Sequence, residues 1–387
     1  IPAVHNDSIF LSYVDTDNLD RLPASLEMDP LKEKQLGSYG FFASLDGSYA
    51  SSHETSHPPS YLLNEKGMPY VINMDRGGVL TKKDGCHTAC IADGVGGTGY
   101  FSAFVAYMIC AYFLERFSKE NFNLDEDEDI AEDLLIDCMY HIQECSPNTL
   151  KGSSTALVVD CVPIEQRYNK QMYRVQVVAL GDCAAFHIDS ETKQVSQLNK
   201  IQRGLTSQGK PSVKSTGGHI RSYDDMYHPE HIVASVSVAS EDDYLLLATD
   251  GFLDNVRDGR VLEIIALVAF HPFFDEPFEL LVKYVRFWEC TECSTLPTVD
   301  DITQFIQKNS SIEISLHEKP TTAQITTRLT NYTKLVTHSR TQIEERYYKT
   351  VPKRALDSKS SSTSSERDND IPKTDDYMII VMKPRVY

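Results

Sequence analysis

The chain has 387 residues, 41% of them hydrophobic, and a formal net charge of −19 from 37 basic and 56 acidic residues. This length and this hydrophobic content are enough for one large domain with a real core, or for two smaller ones. The acidic balance argues against direct nucleic-acid binding, which needs a basic surface. No stretch approaches the ~20 apolar residues of a membrane span. The longest apolar run, residues 101–117, is typical of a core helix.

The cysteines indicate a chain with reduced thiols. There are nine of them, an odd number, scattered along the whole sequence. A secreted disulfide framework is usually short and has an even number of closely spaced cysteines, so we expect an intracellular protein. The pairs Cys86/Cys90 and Cys290/Cys293 have no Cys/His pair at finger-like spacing beside them, so we do not expect zinc.

The first quarter of the chain predicts an arm, loops and short strands. Residues 1–35 have no clean period and predict an extended N-terminal arm. Residues 46–68, rich in Ser, His, Pro and Gly, predict a loop, and a turn is predicted through Gly77-Gly78. Strands are predicted over residues 38–44, 70–75 and 87–92.

Blocks of strands and helices are predicted for the rest of the chain, with loops at residues 200–230 and 356–373. The predicted strands cover residues 154–161, 173–180, 184–188, 232–238, 244–248 and 375–382. The predicted helices cover residues 101–117, 130–145, 260–270, 277–288 and 321–348. We expect residues 36–387 to form a single domain, with a helical insertion at about 256–355 and a flexible Ser-rich loop at about 356–373.

Aspartates stand at the ends of the predicted strands, or one turn beyond. They are Asp75, Asp93, Asp182, Asp250, Asp254 and Asp375. One aspartate at a strand end is usually a turn former, but a set of them beside Gly or Asn, or at the start of a buried strand, indicates a shared site. Carboxylate oxygens suit hard cations such as Mg²⁺ and Mn²⁺. Two such ions a few ångström apart can activate a water for attack on phosphorus.

These aspartates belong to motifs whose order resembles that of the metal-dependent type 2C Ser/Thr protein phosphatases. The motifs are Asp93-Gly-Val-Gly-Gly97, Gly152-Ser-Ser-Thr-Ala156, Gly181-Asp182, Ala248-Thr-Asp-Gly-Phe-Leu-Asp-Asn255 and Asp375-Asp-Tyr-Met-Ile-Ile-Val381. The Asp-Gly-Val-Gly-Gly form is similar to the branch with mitochondrial and plastid members, which implies a mitochondrial location. The resemblance also implies an α+β fold, a β-sandwich of two antiparallel sheets flanked by helices, with metals at one end.

The resemblance assigns a role to each site residue. Asp93 would bridge two Mg²⁺ or Mn²⁺ ions, and the Gly94 carbonyl would ligate one of them. Asp250 and Asp375 would ligate the other ion, and Asp75 would hold a metal-bound water. A third, weaker ion would lie at Asp182 and Asp254. The implied reaction is direct attack of an activated water on a phosphoserine or phosphothreonine of a protein substrate.

Three departures from the family pattern keep a second hypothesis open. One is the long segment between Asn255 and Asp375, which carries the Ser-rich loop. Met74 stands where many members carry an acidic residue, and residues 67–71 lack the arginine that often grips the substrate phosphate, with only Lys66 and Arg76 nearby. The alternative is a pseudophosphatase, or a structural subunit of a larger complex, that uses the same fold for docking.

Overall fold

The computed structural model of the protein describes most of the chain. It covers residues 9–10, 40–44, 47–55, 73–82, 84–96, 101–120, 122–124, 129–146, 150–205, 211–256, 260–285, 298–309, 319–350 and 375–384. The predicted N-terminal arm lies outside these residues, apart from residues 9–10. The predicted Ser-rich loop at 356–373 lies outside them entirely.

Two six-stranded antiparallel sheets form the centre of the described part of the chain. With strands numbered in chain order, the first sheet contains, from edge to edge, β1 (Ile9–Phe10), β4 (Arg76–Thr81), β5 (His87–Ala92), β7 (Ala156–Arg167), β8 (Lys170–Leu180) and β14 (Val233–Ser240). The second contains β10 (Val195–Gln197), β9 (Ala184–Ile188), β15 (Tyr244–Ala248), β16 (Asp376–Met382), β3 (Tyr49–Thr55) and β2 (Gly40–Ala43). Two small ribbons pair β11 (Arg203–Leu205) with β12 (Pro211–Thr216), and β6 (Ser153–Ser154) with β13 (Ile220–Arg221).

The two sheets pack face to face, and their alternating side chains build the core. In β16, Met378 and Ile380 belong to the cluster between the sheets, together with Val177 of the first sheet. Ile379 and Val381, one residue along, belong to the cluster on the outer side of the second sheet. Successive strand residues point to opposite faces, so one apolar strand serves two layers.

Helices cover both outer faces of the sandwich. The apolar helices α1 (Phe101–Lys119) and α2 (Ile130–Cys145) share a core with the first sheet. The second sheet shares its outer core with α3 (Asp250–Leu253), α4 (Val261–Phe270), α5 (Phe278–Val285), α6 (Val299–Asn309) and α7 (Thr322–Thr350). No described helix is long and apolar enough to cross a membrane. The predicted α+β sandwich flanked by helices is confirmed.

Two local predictions near the N-terminus are wrong. Residues 49–55 form a strand inside the second sheet instead of a loop, because β2 and β16 pair with it on both sides. The Gly77-Gly78 pair lies within a strand, β4, which begins after Asp75, so the described residues 73–75 do not form the predicted strand. A Cβ on Gly77 would lie 2.6 Å from the Met378 side chain of the other sheet, so glycine here permits close sheet packing.

The predicted loop over residues 200–230 also contains short strands, β11, β12 and β13. The chain turns back after β11, and Arg203 pairs with Thr216. Backbone hydrogen bonds anchor the start of this ribbon to the main fold: the Gln202 N–H donates to the Gly181 carbonyl at 3.0 Å. The ribbon therefore lies against the turn that follows β8.

Candidate metal centre

Antiparallel pairing brings the strand ends that carry the predicted site residues to one end of the sandwich. Arg76 pairs with Ala92, so Asp75 and Asp93 lie next to these partners at the same edge. Ala184 pairs with Ala248, so the turn that contains Asp182 lies near the one that contains Asp250. β15 and β16 are also antiparallel, which places Asp375 at this end.

The backbone around Asp93 is fixed by the Gly152-Ser-Ser-Thr motif. The Asp93 carbonyl accepts bonds from the Ser154 hydroxyl at 2.8 Å and from the Thr155 N–H at 2.9 Å. The Asp93 N–H donates to the Thr155 hydroxyl at 2.9 Å. The two motifs therefore act as one unit that holds the Asp93 turn in place.

Gly94 is required by close packing on both sides of this turn. A Cβ at this position would lie 2.8 Å from Met74 Cβ and 3.0 Å from the Ser102 backbone. Met74 therefore lies directly against the glycine turn.

Asp75 is buried and held from both sheets. Its Oδ2 accepts a hydrogen bond from the Thr249 hydroxyl at 2.8 Å, and its N–H donates to Asn73 Oδ1 at 2.9 Å. The Asp93 side chain is close enough to affect the pKa of the Asp75 carboxyl. These contacts fix the Asp75 carboxyl beside Asp93.

Asp250 and Asp254 lie at the two ends of the short helix α3, and the Asp254 N–H donates to the Asp250 carbonyl at 2.7 Å. Gly251 lets this helix lie directly on the start of β16, because a Cβ there would lie 1.8 Å from the Asp376 carbonyl oxygen. Asp375 is next to that contact, and its Oδ1 accepts from the Asp376 N–H at 3.0 Å.

Burial and mutual repulsion raise the pKa values of the central carboxyls. Burial, with Asp250 and Asp375 contributing, raises the pKa of Asp75 to about 7. Burial also holds the pKa of Asp93 well above its usual range, and Asp250, Asp75, Asp182 and Asp375 raise it further. Because these four groups act on Asp93, the structure brings four of the predicted aspartates close to it, whereas Asp254 joins the group through Arg203.

Arg203 enters this cluster, and nothing in its local sequence indicated that it would. Its side chain is 11% exposed, with Nη1 lying 3.3 Å from Asp182 Oδ2 and 3.9 Å from Asp250 Oδ2. Its Nη2 donates to Asp254 Oδ1 at 2.5 Å. Residue 203 lies within the predicted loop over residues 200–230, a position that gives no indication of this contact.

Two further residues belong to the site beyond the predicted ones. Asp376 is buried, and its Oδ2 accepts a hydrogen bond from the Met74 N–H at 3.1 Å. The Thr249 hydroxyl donates directly to Asp75. A polar residue next to a candidate ligand was the available signal for both.

The donor set suits a hard divalent cation. It consists of carboxylates collected in a buried place, the chemistry that Mg²⁺ and Mn²⁺ prefer. Among the described residues, no lysine or arginine lies within ion-pair distance of the Asp75 or Asp93 carboxyl. Cations bound there would relieve the repulsion that raises the pKa values of these groups.

A second group of potential metal ligands lies elsewhere, on the segment before β14. The ligand atoms of His228, Glu230 and His231 lie within 4.8 Å of one another. The exposed His228 and Glu230 side chains already pair at 2.6 Å, and His231 Nδ1 bonds the Gly217 carbonyl at 2.7 Å. These contacts account for the arrangement without a metal ion.

Comparison with known proteins finds similar solved structures. The photosystem II phosphatase PBCP is 14% identical with a TM-score of 0.44, over 90% of this chain and 100% of that one. A serine/threonine phosphatase of S. agalactiae is 13% identical with a TM-score of 0.45, over 86% and 98%. The catalytic domain of the phosphatase PstP, in complex with 2 manganese ions, is 13% identical with a TM-score of 0.40, over 87% and 96%.

No protein-family model matches the chain, and no curated protein matches it. Likeness at these identities and TM-scores does not establish an activity.

Proposed function

We propose that this chain is a divalent-cation-dependent protein phosphatase that hydrolyses phosphoserine and phosphothreonine with Mg²⁺ or Mn²⁺. The observation that carries the proposal is the convergence of aspartates from separate chain segments at one end of the sandwich. A fold gains no stability from burying clustered like charges, since their repulsion and desolvation oppose folding. A bound cation would offset this repulsion, which accounts for the presence of such a cluster.

The proposed ligands are divided between the two sheets. Asp93 and Gly94 come from the turn after β5, Asp250 from the start of α3, and Asp375 from the residue before β16. Bound Mg²⁺ or Mn²⁺ would supply a Lewis acid that polarises a phosphoryl oxygen and lowers the pKa of a nearby water. Thr249 and Asn73 hold Asp75, the proposed water-orienting carboxyl, beside this set.

Asp75 is the candidate proton acceptor of the site. In the metal-free chain, burial raises the pKa of its carboxyl to about 7. Bound divalent cations would lower that pKa and keep the carboxyl ionised. An ionised Asp75 could then accept a hydrogen bond, or the proton, from the attacking water.

The finer parts of the proposal rest on the motif resemblance. Phosphoserine and phosphothreonine proteins are the substrate class that it implies. A mitochondrial location follows only from the Asp-Gly-Val-Gly-Gly form at Asp93 and stays a prediction, as does membership of a larger complex.

One observation favours the second candidate, a pseudophosphatase that uses this fold for docking. The arginines described near the cluster are committed to protein groups: Arg203 pairs with aspartates, and Arg76 donates to the Asn73 and Asp75 carbonyls at 2.7 and 2.6 Å. Neither arginine is therefore placed to bind a substrate phosphate. Lys66 lies outside the described residues.

The two candidates are separated by an assay of phosphate release from a phosphothreonine peptide with Mn²⁺. We expect Mn²⁺-dependent turnover by the wild type. Substituting Asp93→Asn should reduce it by more than the roughly 10–100-fold that loss of an outer-shell metal partner costs. Chelation should abolish the wild-type activity.

The matched control is Asp160→Asn. Asp160 is a buried aspartate on β7 whose pKa burial raises to about 6, and its Oδ1 accepts from the Thr88 hydroxyl at 2.7 Å. It lines a different part of the fold, so this variant should keep its turnover. Wild-type activity no greater than that of Asp93→Asn would reject the enzyme, and Mn²⁺ binding without turnover would support the docking protein.

A further inference from the structure

Arg203 is a buried cation at one side of the carboxylate cluster. Its guanidinium lies among three carboxylates, with Nη1 at 3.3 Å from Asp182 and 3.9 Å from Asp250, and Nη2 bonded to Asp254. These carboxylates come from the turn after β8 and from the two ends of α3. The guanidinium therefore joins carboxylates that come from two separate segments of the chain.

The position of Arg203 is built by the backbone around it. The preceding residue, Gln202, donates its N–H to the Gly181 carbonyl, next to Asp182, and its own carbonyl accepts from the Gly217 N–H at 2.9 Å. A Cβ on Gly217 would lie 2.5 Å from the Gln202 backbone, so only glycine allows this contact. Gly181 has a φ of +113°, which also favours glycine. The backbone contacts of Gln202 with Gly181 and Gly217 therefore fix the position from which the Arg203 side chain reaches the carboxylates.

Arg203 keeps its positive charge among these carboxylates. Burial alone would lower the pKa of its guanidinium, but Asp254, Asp182 and Asp250 raise it above its ordinary value. An arginine is not deprotonated in proteins. Two cations a few ångström apart repel each other, so a divalent ion cannot share these three carboxylates with the guanidinium at low cost.

We propose that Arg203 is a built-in cation that occupies the Asp182–Asp254 side of the cluster and confines bound divalent ions to the Asp75, Asp93 and Asp375 side. The inference rests on the proposed function, since it concerns the same centre. It departs from the three-ion arrangement that the motif resemblance implied. Because Arg203 Nη1 also faces Asp250, it acts as a positioning residue for the one carboxylate that both sides share.

The test counts Mn²⁺ ions bound per chain, by equilibrium dialysis with elemental analysis at saturating Mn²⁺. We expect two ions in the wild type, the number held by a two-metal centre. Removing the guanidinium with Arg203→Ala should open the second side and raise the count by one. Arg203→Lys keeps a cation in the same place and should leave the count at the wild-type value.

Two further variants show whether an added ion uses the proposed place. Combining Arg203→Ala with Asp254→Asn should remove the added ion, because the new position loses a carboxylate. Arg260→Ala is the matched control for loss of one positive charge, since Arg260 pairs with Glu263 on the exposed side of α4. It should bind as many ions as the wild type.

The outcomes separate this inference from the proposed function. A wild type that binds three ions, or an Arg203→Ala variant with an unchanged count, overturns the role of Arg203 and leaves the metal centre standing. A wild type that binds no Mn²⁺ overturns both. Circular dichroism in Mn²⁺ shows whether Arg203→Ala folds. If it does not, the number of Mn²⁺ ions bound by the wild type is the test: three ions would overturn the role of Arg203.

Discussion

Thr249 links both sheets to the candidate metal centre. Its hydroxyl donates to Asp75 Oδ2 and accepts from the Met378 N–H, each at 2.8 Å. The side chain is fully buried, so water cannot replace either bond. Its position at the end of β15 makes it the connection between β16 and the carboxyl that precedes β4.

We expect Thr249→Val to destabilise the fold by about 2–4 kcal/mol, because valine keeps the shape but leaves two buried polar groups without this partner. The hydrogen bond from Thr249 also lowers the pKa of Asp75, so its loss should raise that pKa further. Urea unfolding of the metal-free protein measures the change in the free energy of unfolding.

Thr333→Val is the matched control for this substitution. Thr333 is equally buried, but its hydroxyl bonds only the Leu329 carbonyl of its own helix, at 2.9 Å. That carbonyl is in the helix ladder already, so the cost should stay below about 1 kcal/mol. Equal losses from the two variants would contradict the linking role of Thr249.

At the scale of elements, helix α7 is attached to the fold by polar contacts as well as by its apolar side. Arg328 makes a two-pronged ion pair with Asp275, at 2.8 and 2.6 Å, and donates to the Ala269 carbonyl at 2.8 Å. Asn331, one turn on, donates to the Phe274 carbonyl at 2.8 Å. These bonds fix α7 to the end of α4 and to the short turn that follows it.

Replacing Arg328 with leucine should therefore cost about 2–3 kcal/mol of stability. The Ala269 carbonyl would lose a buried donor, whereas Asp275 is 32% exposed and water would compensate part of its loss. Thermal or urea unfolding gives the value.

The control for this variant is Arg260→Leu, which removes the exposed ion pair with Glu263 and should leave the free energy of unfolding almost unchanged. If Arg328→Leu proved no more costly than that, α7 would be held by apolar packing alone.

The elements that the sequence missed are those whose position depends on distant partners. Strand β3, with the sequence Tyr-Ala-Ser-Ser-His-Glu-Thr, has the composition of a loop. It is a strand because β2 and β16 both pair with it, and Ser51 and Ser52 are small enough to be buried there. The helices at 101–119 and 130–145 were predictable, since their apolar residues lie close together in sequence.

In the candidate site, too, the sequence does not predict a contact that depends on residues distant along the chain. The aspartates of the site could be predicted because most of them lie at the end or the start of an apolar strand, and several stand next to glycine or asparagine. Arg203 could not, because it reaches Asp182 and Asp254 only after the chain has turned back between β11 and β12. A single arginine in a polar stretch gives no signal of that contact.

At the scale of the whole molecule, the sandwich collects buried carboxyl groups at one end. The chain carries a formal net charge of −19, and burial raises the pKa of Asp376 well above its usual range, with Asp75 and Asp375 adding to the effect. Arg203 neutralises only the side of the cluster at Asp182 and Asp254. The other side is where the account places divalent cations.

The most direct measurement is an anomalous difference map from crystals of the full chain grown with Mn²⁺ and recorded at the manganese edge. The account predicts peaks in contact with Asp93, towards Asp75 and Asp375, and none between Asp182 and Asp254, where the guanidinium lies. A map with no peak beside Asp93, or with manganese only at His228 and His231, would contradict it.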